Sequence, residues 1–394
     1  MNLILILIST WTMTDPVFCV GYDAVVQNPA ALVFPGNPKA SLEYFGVRLH
    51  LNSNGFTIAD YQRYFEHPVF LTEEDEKRIL SSIGAGPLRI GTGSLFEILH
   101  GQYRTFGWGL DFEKIAVQSL PKALFELAFE GNEMNRTYQL GGLGFDTLSF
   151  MRLTAGGGFP VHDRFGLGVT VSWLRGMRYT MTASSSGELL TTPYVITGST
   201  VQVRNVADGG DGFGITMGSA LKFGESWRLG LSMRDLIAGI WWSENPGVRR
   251  VCIDLDSLNG YRYYQKPVLD SFLVKRDFFQ SGGTIWTRLP GVIALGLGYT
   301  IAMLKLGAIV NLPLSWSPFI SESPIGGVKF ELEPLSCVEF TGMAAWHRQQ
   351  GWSAALSTVG FYKGLELSIG TEFRGHRLSA VKNAAMLFRI GYEF

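Results

Sequence analysis

The most regular pattern in this chain is the alternation of apolar and polar residues, and it is clearest at the C-terminal end. One face of residues 384–394 carries only apolar or aromatic side chains: Ala384, Met386, Phe388, Ile390, Tyr392 and Phe394. The other face carries both charges, Arg389 and Glu393. A repeat of two residues is that of a β-strand, and this contrast between the faces predicts a strand with one side in lipid.

The same alternation recurs upstream, along residues 364–373 and 304–312, where charged and amide side chains interrupt one face only. Charged side chains on the lipid face of a barrel are costly, so we expect these groups to point to the interior. The side chains predicted to face a lumen are Lys305, Asn311, Glu366, Glu372, Arg389 and Glu393.

Segments with this pattern predict an all-β fold, a transmembrane antiparallel up-and-down barrel of about fourteen strands within a range of twelve to sixteen. The expected strands are 40–52, 87–99, 105–118, 136–156, 165–182, 212–223, 227–241, 285–300, 303–312, 325–333, 336–346, 351–360, 363–373 and 383–394. Short turns, such as 224–226, 301–302 and 361–362, alternate with longer connections, as a barrel requires. The strand-like run 194–203 is then an extracellular extension.

A rival interpretation concerns residues 292–310, which are apolar and about long enough for one transmembrane helix. Three glycines and Lys305 lie inside this run, and its residues alternate in size. A β-hairpin that turns near Ile301 and Ala302 explains more of these features.

The composition agrees with a barrel. Only 17% of the 394 residues are charged, 13% are aromatic and 48 are Gly, whereas soluble domains carry roughly 25% charged residues. The formal net charge is −1 and the chain has no basic block, so we expect no nucleic-acid partner. No Pro- or Ser-rich linker divides the chain.

The N-terminal residues resemble a secretory leader. The apolar run 3–8 is too short to span a bilayer as a helix and fits the central region of a signal peptide. We therefore predict three segments: a leader at 1–19, an N-terminal segment at 20–39 and a barrel at 40–394. The residues before Cys19 are not the small ones of a lipoprotein site.

Two stretches predict short helices in the loops or the lumen. Thr72 is a suitable N-cap for a helix with acidic residues in its first turn, and Gly84 can end it. The second stretch, 119–131, has Pro121 in its first turn.

We find no catalytic, cofactor or metal motif, and we expect no enzyme. None of the six His lies beside a nucleophile or at metal-ligand spacing, the three Cys form no such pattern, and residues 208–212 lack a full calcium loop. Distant strands can still build a site. A Ser or Asp within hydrogen-bond reach of a His at the barrel rim would therefore favour an enzyme that acts on lipid.

Two motifs carry a family resemblance. Asn28, Pro29 and Ala30 follow a short segment that begins at Gly21, and residues 289–299 read as Leu-Pro followed by a strand with alternating Gly. The chain thus resembles the FadL-like superfamily of outer-membrane channels for long-chain fatty acids and aromatic hydrocarbons, in an uncharacterised branch related to PorV-like proteins. The C-terminal residues Phe388, Ile390, Tyr392 and Phe394 resemble the signal that such barrels present to the barrel-assembly machinery.

The resemblance implies a location in the bacterial outer membrane, with lipid and the assembly machinery as partners. It implies fourteen strands around an N-terminal plug, to which Asn28, Pro29 and Ala30 would belong. Hydrophobic cargo would enter from outside and leave through a lateral opening or past the plug. A PorV-like protein would instead be a shuttle that binds secreted proteins.

The favoured function is therefore passive transport of a hydrophobic small molecule. The alternative is a scaffold or shuttle that binds secreted proteins through its extracellular loops, and an enzyme that modifies lipid is the least favoured function. The long connection 242–284 supports the first two, because its aromatic residues could form an apolar catch site or a protein interface. These residues are Tyr261, Tyr263, Tyr264, Phe272, Phe278 and Phe279.

The alternation also predicts how the barrel closes. Strand 383–394 should pair with strand 40–52, because an open edge in hydrocarbon leaves unpaired backbone groups. On the sequence alone, Ile390→Arg should harm assembly far more than Arg389→Ile, since only the first change puts a charge into lipid.

Overall fold

A computed structural model of the chain describes residues 14–64, 70–258, 272–314, 324–335, 337–347, 351–375 and 381–394. The α-helices are α1 (Gly21–Gln27), α2 (Ile58–Tyr64), α3 (Glu73–Ile83) and α4 (Lys122–Phe129), and a 3-10 helix spans Pro29–Val33. None of the helices in these ranges has the length and apolar character needed to cross a membrane.

The rest of the described structure is mostly strand. The segments are β1 (Ala40–Ser53), β2 (Leu88–Tyr103), β3 (Phe106–Leu120), β4 (Thr137–Gln139), β5 (Gly144–His162), β6 (Phe165–Thr191), β7 (Ile196–Ala207), β8 (Gly209–Phe223), β9 (Trp227–Glu244), β10 (Gly247–Leu258), β11 (Leu273–Ser281), β12 (Ile285–Arg288), β13 (Val292–Ile301), β14 (Leu304–Pro313), β15 (Ile325–Leu335), β16 (Val338–His347), β17 (Gly351–Tyr362), β18 (Leu365–Gly375) and β19 (Val381–Glu393).

Fourteen of these segments form one closed antiparallel ring: β1, β2, β3, β5, β6, β8, β9, β13, β14, β15, β16, β17, β18 and β19. The ring closes where β19 pairs with β1, from Ser41 opposite Glu393 to Asn52 opposite Asn383. The predicted barrel, its strand number and its closure are confirmed. The hairpin of β13 and β14 replaces the rival transmembrane helix.

Two wall strands are interrupted. Both β4 and β5 pair with β6, so together they form one wall strand with a short break. In the same way, β12 and β13 both pair with β9 and form one interrupted strand. Residues 289–291 form the second break. Strand β7 extends the far end of β6, β10 pairs with β7, and β11 pairs with β10. The predicted extension at 194–203 is therefore present, and it continues into two strands that the alternation did not reveal.

The ends of the barrel differ in the length of their connections. Six connections of two or three residues lie at one end, called the turn end here, where Phe394 also lies. The predicted turn at 361–362 is wrong by two residues: Phe361 and Tyr362 still pair with β18, and the turn is Lys363–Gly364. Both turn residues have positive φ, 51° and 86°, as a tight hairpin of this type requires.

The opposite end, called the loop end, carries the long connections and helices α2, α3 and α4. Helix α3 begins and ends as predicted, with a reciprocal Thr72–Asp75 capping box and Gly84 as the C-cap. Helix α4 is shorter than predicted, because Pro121 precedes its first residue and Glu130 caps it.

Candidate functional site

The lumen is the candidate site, and the N-terminal residues fill part of it. Asn28 is completely buried and organises this segment: its Oδ1 accepts the Ala30 N–H at 3.2 Å, and its Nδ2 donates to Pro16 O at 2.6 Å and to Ser219 O of β8 at 3.2 Å. Asn28, Pro29 and Ala30 thus start the 3-10 helix and tie it to the wall. We call residues 14–39 the plug segment.

Glycines in the wall make room for the plug segment. A Cβ at Gly168 of β6 would overlap the backbone of Pro29 and Ala30, and one at Gly230 of β9 would overlap Pro16. At Gly296 and Gly298, the alternating glycines of β13, a Cβ would overlap side-chain atoms of Pro16, Val17 and Phe18. The Gly-alternating motif therefore has a physical reason here, which is the close packing of side chains of the plug segment against the backbone of β13.

Two ion pairs hold the plug segment to strands β15 and β19 of the wall. Arg389 of β19 binds both oxygens of Asp23 at 3.1 and 3.2 Å, and Glu97 of β2 at 2.8 and 2.9 Å. Lys329 of β15 binds Asp15 at 2.6 Å. All of these side chains except that of Asp23 are nearly buried. We call the Asp23–Arg389 and Asp15–Lys329 pairs the latch, because they join the plug segment to the wall.

The latch carboxylates are ionised. Burial would raise the pKa of Asp15, but the charge of Lys329 and hydrogen bonds from Lys329 and from the Val17 and Phe18 N–H groups outweigh it and hold the pKa below its ordinary value. Burial would likewise raise the pKa of Asp23, but the charge of Arg389 and its hydrogen bonds outweigh burial, so this pKa is also lowered. Both pairs are therefore charge-assisted, the stronger class of hydrogen bond.

Part of the plug segment falls within the predicted leader. Thr14 and Asp15 are buried, and Phe18 packs on Gly298. Removing residues 14–19 would leave Lys329 without Asp15 and expose the glycine-lined wall. We therefore expect the mature chain to retain residues 14–19, with any cleavage before Thr14.

Intact-mass measurement and N-terminal sequencing of the protein purified from outer membranes test this boundary. A mature chain that starts at Val20 or later would show that the Asp15–Lys329 pair is absent from the working protein.

A second network surrounds helix α1. Tyr22 stacks on His100 with ring centroids 3.6 Å apart, and its hydroxyl donates to Asp111 at 3.1 Å. His100 contacts Asp111 at 2.6 Å and Glu43 at 3.1 Å. Ligand atoms of Glu43, Glu97 and His100 lie within 4.8 Å of one another. Arg389 already forms ion pairs with both of these carboxylates, so a guanidinium competes for the oxygens that a metal would need.

Two cavities lie on either side of helix α1, and Asp23 and Gln27 line both. The loop-side cavity has a volume of about 140 Å³, and the turn-side cavity about 190 Å³. The loop-side cavity lies against a buried apolar cluster in the half of the barrel nearer the loop end. That cluster consists of Ile115, Val117, Leu148, Phe150, Leu174, Tyr179, Ala207, Ala238, Ile240, Trp242 and Leu289.

The six predicted lumen residues fall into three places. Lys305, Glu366, Arg389 and Glu393 line the turn-side cavity, where Lys305 also pairs with Glu331 at 3.0 Å. Asn311 is buried beside Thr14 of the plug segment. Glu372 is buried near Arg374, 3.5 Å away.

The C-terminal aromatic face points away from the lumen. Phe388 and Phe394 are exposed on the outer surface, and the rings of Tyr392 and Phe394 lie edge to face at 4.7 Å. Ile390 is half-buried in the same row and lies opposite Phe45 of β1.

The predicted aromatic catch site lies only partly within the described residues. Tyr261, Tyr263 and Tyr264 lie outside the described residues, and Phe272 is buried. Phe278 and Phe279 are exposed neighbours on β11, so they point to opposite faces of that strand. These two residues therefore do not form one apolar surface of that strand, and neither lines the loop-side or the turn-side cavity, whose residues are among those described.

One serine lies within reach of a histidine. Ser353 Oγ is 3.1 Å from His347 Nε2 near the loop end. His347 is 1% exposed and Ser353 5%, so neither side chain can meet lipid. Among the described residues, the other ring nitrogen of His347 donates no hydrogen bond to a carboxylate. The pair is a hydrogen bond within the wall.

Sequence reasoning missed most of the polar residues that organise the lumen. Asp23, Glu97, Arg152 and Asp235 lie on separate segments, and only closure of the barrel brings them together. A local signal existed for Glu97, a lone charge in the apolar run of β2. We find no such signal for Asp15, which lies next to Pro16 as in an ordinary turn.

Comparison with solved structures identifies the fold. The chain is similar in structure to the toluene transporter TbuX of Ralstonia pickettii, with 12% identity, a TM-score of 0.51 and coverage of 94% of this chain and 93% of that one. It is equally similar to the toluene transporter TodX of P. putida, with 8% identity, a TM-score of 0.51 and 94% of each chain covered. The chain has the fold of these transporter barrels.

The FadL-like resemblance suggested by the sequence is thus confirmed for the fold. A deletion mutant of the TodX monoaromatic hydrocarbon channel gives a TM-score of 0.53 at 10% identity, with 94% of each chain covered. In sequence, residues 29–204 match a family of unknown function, DUF5723. No curated protein matches the chain in sequence.

Proposed function

We propose that this protein lies in the bacterial outer membrane and lets a small, largely apolar molecule pass through its lumen without chemical change. One observation carries this proposal: a small cavity, lined by both apolar and charged side chains, lies directly against a plug that ion pairs hold in place. The similar structures are described as toluene transporters and as a monoaromatic hydrocarbon channel, which supports the same class of cargo.

The outer surface of the ring supports a location in lipid. On β13, β14, β18 and β19, most of the side chains in one alternating row are apolar and exposed, whereas the side chains between them face the lumen. The exposed members are Leu295, Leu297, Leu306, Val310, Leu312, Leu365, Leu367, Ile369, Phe373, Met386 and Phe388. A soluble protein would leave such a continuous apolar belt in water at a large cost.

The route that we propose runs from the loop end, on the cell surface, to the turn end in the periplasm. Cargo would occupy the loop-side cavity first and reach the turn-side cavity only when helix α1 shifts, because Asp23 and Gln27 separate the two. The latch pairs would then control passage. Since the chain has no nucleotide-binding motif, passage follows the concentration gradient.

Filling the loop-side cavity should slow passage. Leu289 is buried against this cavity in the break between β12 and β13, so Leu289→Trp would occupy it without altering a paired strand. A barrier higher by ~1.4 kcal/mol would lower the rate of toluene uptake about tenfold. The measurement uses outer-membrane vesicles with a lipopolysaccharide outer leaflet, because toluene crosses phospholipid bilayers unaided.

Leu295→Trp is the matched control, since Leu295 faces outward on the adjoining strand with 48% exposure. Its uptake should equal that of the wild type. Equal uptake by vesicles with and without the protein would refute the proposed transport.

The scaffold function has one structural observation in its favour. Strands β7, β10 and β11 extend the wall at the loop end, and all nine residues of β11 are exposed. An exposed strand edge can bind an extended segment of another protein. Loss of a co-purified protein when β11 is deleted, with uptake unchanged, would favour the scaffold over the channel.

A further inference from the structure

Most charged side chains around the loop-side cavity have a partner of opposite charge. Arg152 holds Asp235 through two hydrogen bonds of 2.8 and 3.2 Å, and Arg48 pairs with Glu97 at 3.2 Å. Asp23 and Asp111 are bound by Arg389 and His100. Within the part of the chain that the structure describes, these groups neutralise one another.

Two charged side chains that line this cavity lack such a partner among the described residues. Arg234 of β9 and Glu113 of β3 both line it, but neither makes an ion pair within 4.0 Å, with the other or with a third group. The Nε of Arg234 is buried and has no hydrogen-bond partner. The cavity thus presents one guanidinium group and one carboxyl group, each available to a ligand.

The backbone is distorted where Arg234 enters the cavity. Asp235 has φ of +50°, a conformation uncommon for residues other than Gly although Asp and Asn adopt it more often than most, and its N–H donates to Thr216 Oγ1 at 3.1 Å. Pairing between β8 and β9 shifts register at this point. The resulting bulge lets the consecutive residues Arg234 and Asp235 both line the cavity, and such strain is concentrated at functional sites.

The two charges discriminate between ligand classes. A hydrocarbon in this cavity would take water away from both Arg234 and Glu113 and return no hydrogen bond, which is costly. An anion would satisfy Arg234 but meet Glu113 as a like charge, and a cation would do the reverse. A zwitterion would satisfy both, with its apolar part against Ile115, Leu148 and Phe150.

We propose that the loop-side cavity binds a zwitterion with an apolar body of about one aromatic ring, in chemical class an aromatic α-amino acid. Its carboxylate lies on Arg234 and its ammonium group on Glu113. The size follows from the cavity volume of about 140 Å³, since a cavity of about 150 Å³ accommodates benzene. This inference rests on the proposed function in taking the loop-side cavity as the site that cargo occupies, and it replaces a plain hydrocarbon by a zwitterion with one aromatic ring as the preferred cargo.

Four probes with the same ring test the head group: L-phenylalanine, 3-phenylpropionate, 2-phenylethylamine and ethylbenzene. Binding to the full-length protein in nanodiscs is measured by equilibrium dialysis. L-Phenylalanine should bind at least about tenfold more tightly than the other three, because it makes two charge-assisted contacts where each ion makes one.

Two charge-neutralising variants make the test specific. Arg234→Gln should abolish the preference for L-phenylalanine over 2-phenylethylamine, and Glu113→Gln should abolish its preference over 3-phenylpropionate. Glu225→Gln, in the exposed turn between β8 and β9, is the matched control and should leave all four affinities unchanged.

Tightest binding of ethylbenzene, or no binding of any probe, would overturn this inference. The proposed function fails separately. If the protein prefers ethylbenzene and vesicles that contain it take up toluene, the channel function is supported and the zwitterion site is refuted. If the protein binds L-phenylalanine but transports nothing, the site is supported and the channel function is refuted.

Discussion

Replacing Arg389 by Ile will destabilise the barrel at least as much as replacing its lipid-facing neighbour Ile390 by Arg. The guanidinium of Arg389 is the shared partner of Asp23, Glu43 and Glu97. Breaking a buried ion pair from one side costs about 3–5 kcal/mol, because the remaining charge has no compensation. An Arg on the lipid face costs about 2–4 kcal/mol at the bilayer midplane and about 0–1 kcal/mol near the interface.

The position of Ile390 along β19 increases the expected difference in stability between the two variants. Ile390 lies three residues before the end of β19 at the turn end, so an Arg there can reach the membrane surface. The alternation alone ranks the two substitutions the other way, because it shows which face a residue occupies but not what that residue binds.

Urea unfolding followed by heat-modifiable mobility measures both variants. Arg389→Lys is the informative control, since it keeps the charge but not the forked geometry and should lie between Arg389→Ile and the wild type. If Arg389→Ile unfolds at the wild-type urea concentration while Ile390→Arg fails to assemble, the Arg389 cluster does not contribute as described.

Replacing Gly168 by Val will open the lumen. A Cβ at this position would overlap the backbone of Pro29 and Ala30, and no side-chain rotation relieves a clash with backbone. The plug segment must therefore leave its position on β6, while β6 keeps its pairing with β5 and β8. We expect the permeability to small hydrophilic solutes to rise at least about tenfold, which corresponds to ~1.4 kcal/mol of lost plug binding.

Liposome swelling in a small sugar measures this permeability. Gly326→Val on β15 is the matched control, because a Cβ there meets nothing within 4 Å. Both variants carry the same change in strand propensity, so only displacement of the plug segment separates them. Swelling of Gly168→Val at the rate of Gly326→Val would show that the plug segment does not close the lumen.

Much of the fold could be predicted from the alternation because β-sheet facing is local. Each strand needs only its own residues to divide into an apolar and a polar face, and β19 does so from Ala384 to Phe394. Lipid makes the pattern stricter, since a charge on the outer face is penalised. The fourteen wall strands and their closure between β1 and β19 follow from this pattern.

Turn positions and the extension were harder to predict, for different reasons. The turn at Lys363–Gly364 depends on which residues adopt positive φ, and Phe361 and Tyr362 are equally acceptable in a strand. Strands β10 and β11 are rich in charge and lie outside the ring, so no strict alternation marks them.

The residues 28–30 were recognisable as a motif, but their role was not. Only the structure shows that the Asn28 side chain bridges Pro16 and Ser219, and that the wall glycines exist to admit this segment. The function of a glycine in a strand depends on what approaches it, and here the approaching chain is more than a hundred residues away in sequence.

The sequence by itself determined the class of this protein: a barrel with an apolar exterior, a polar interior and an N-terminal segment unlike the rest. Tertiary structure alone decided what the polar interior does. Arg389 and Glu97 are 292 residues apart, and Arg152 and Asp235 are 83 apart. Facing is a local property with a period of two residues, whereas the pairing of charges across a lumen depends on which strands closure places opposite one another.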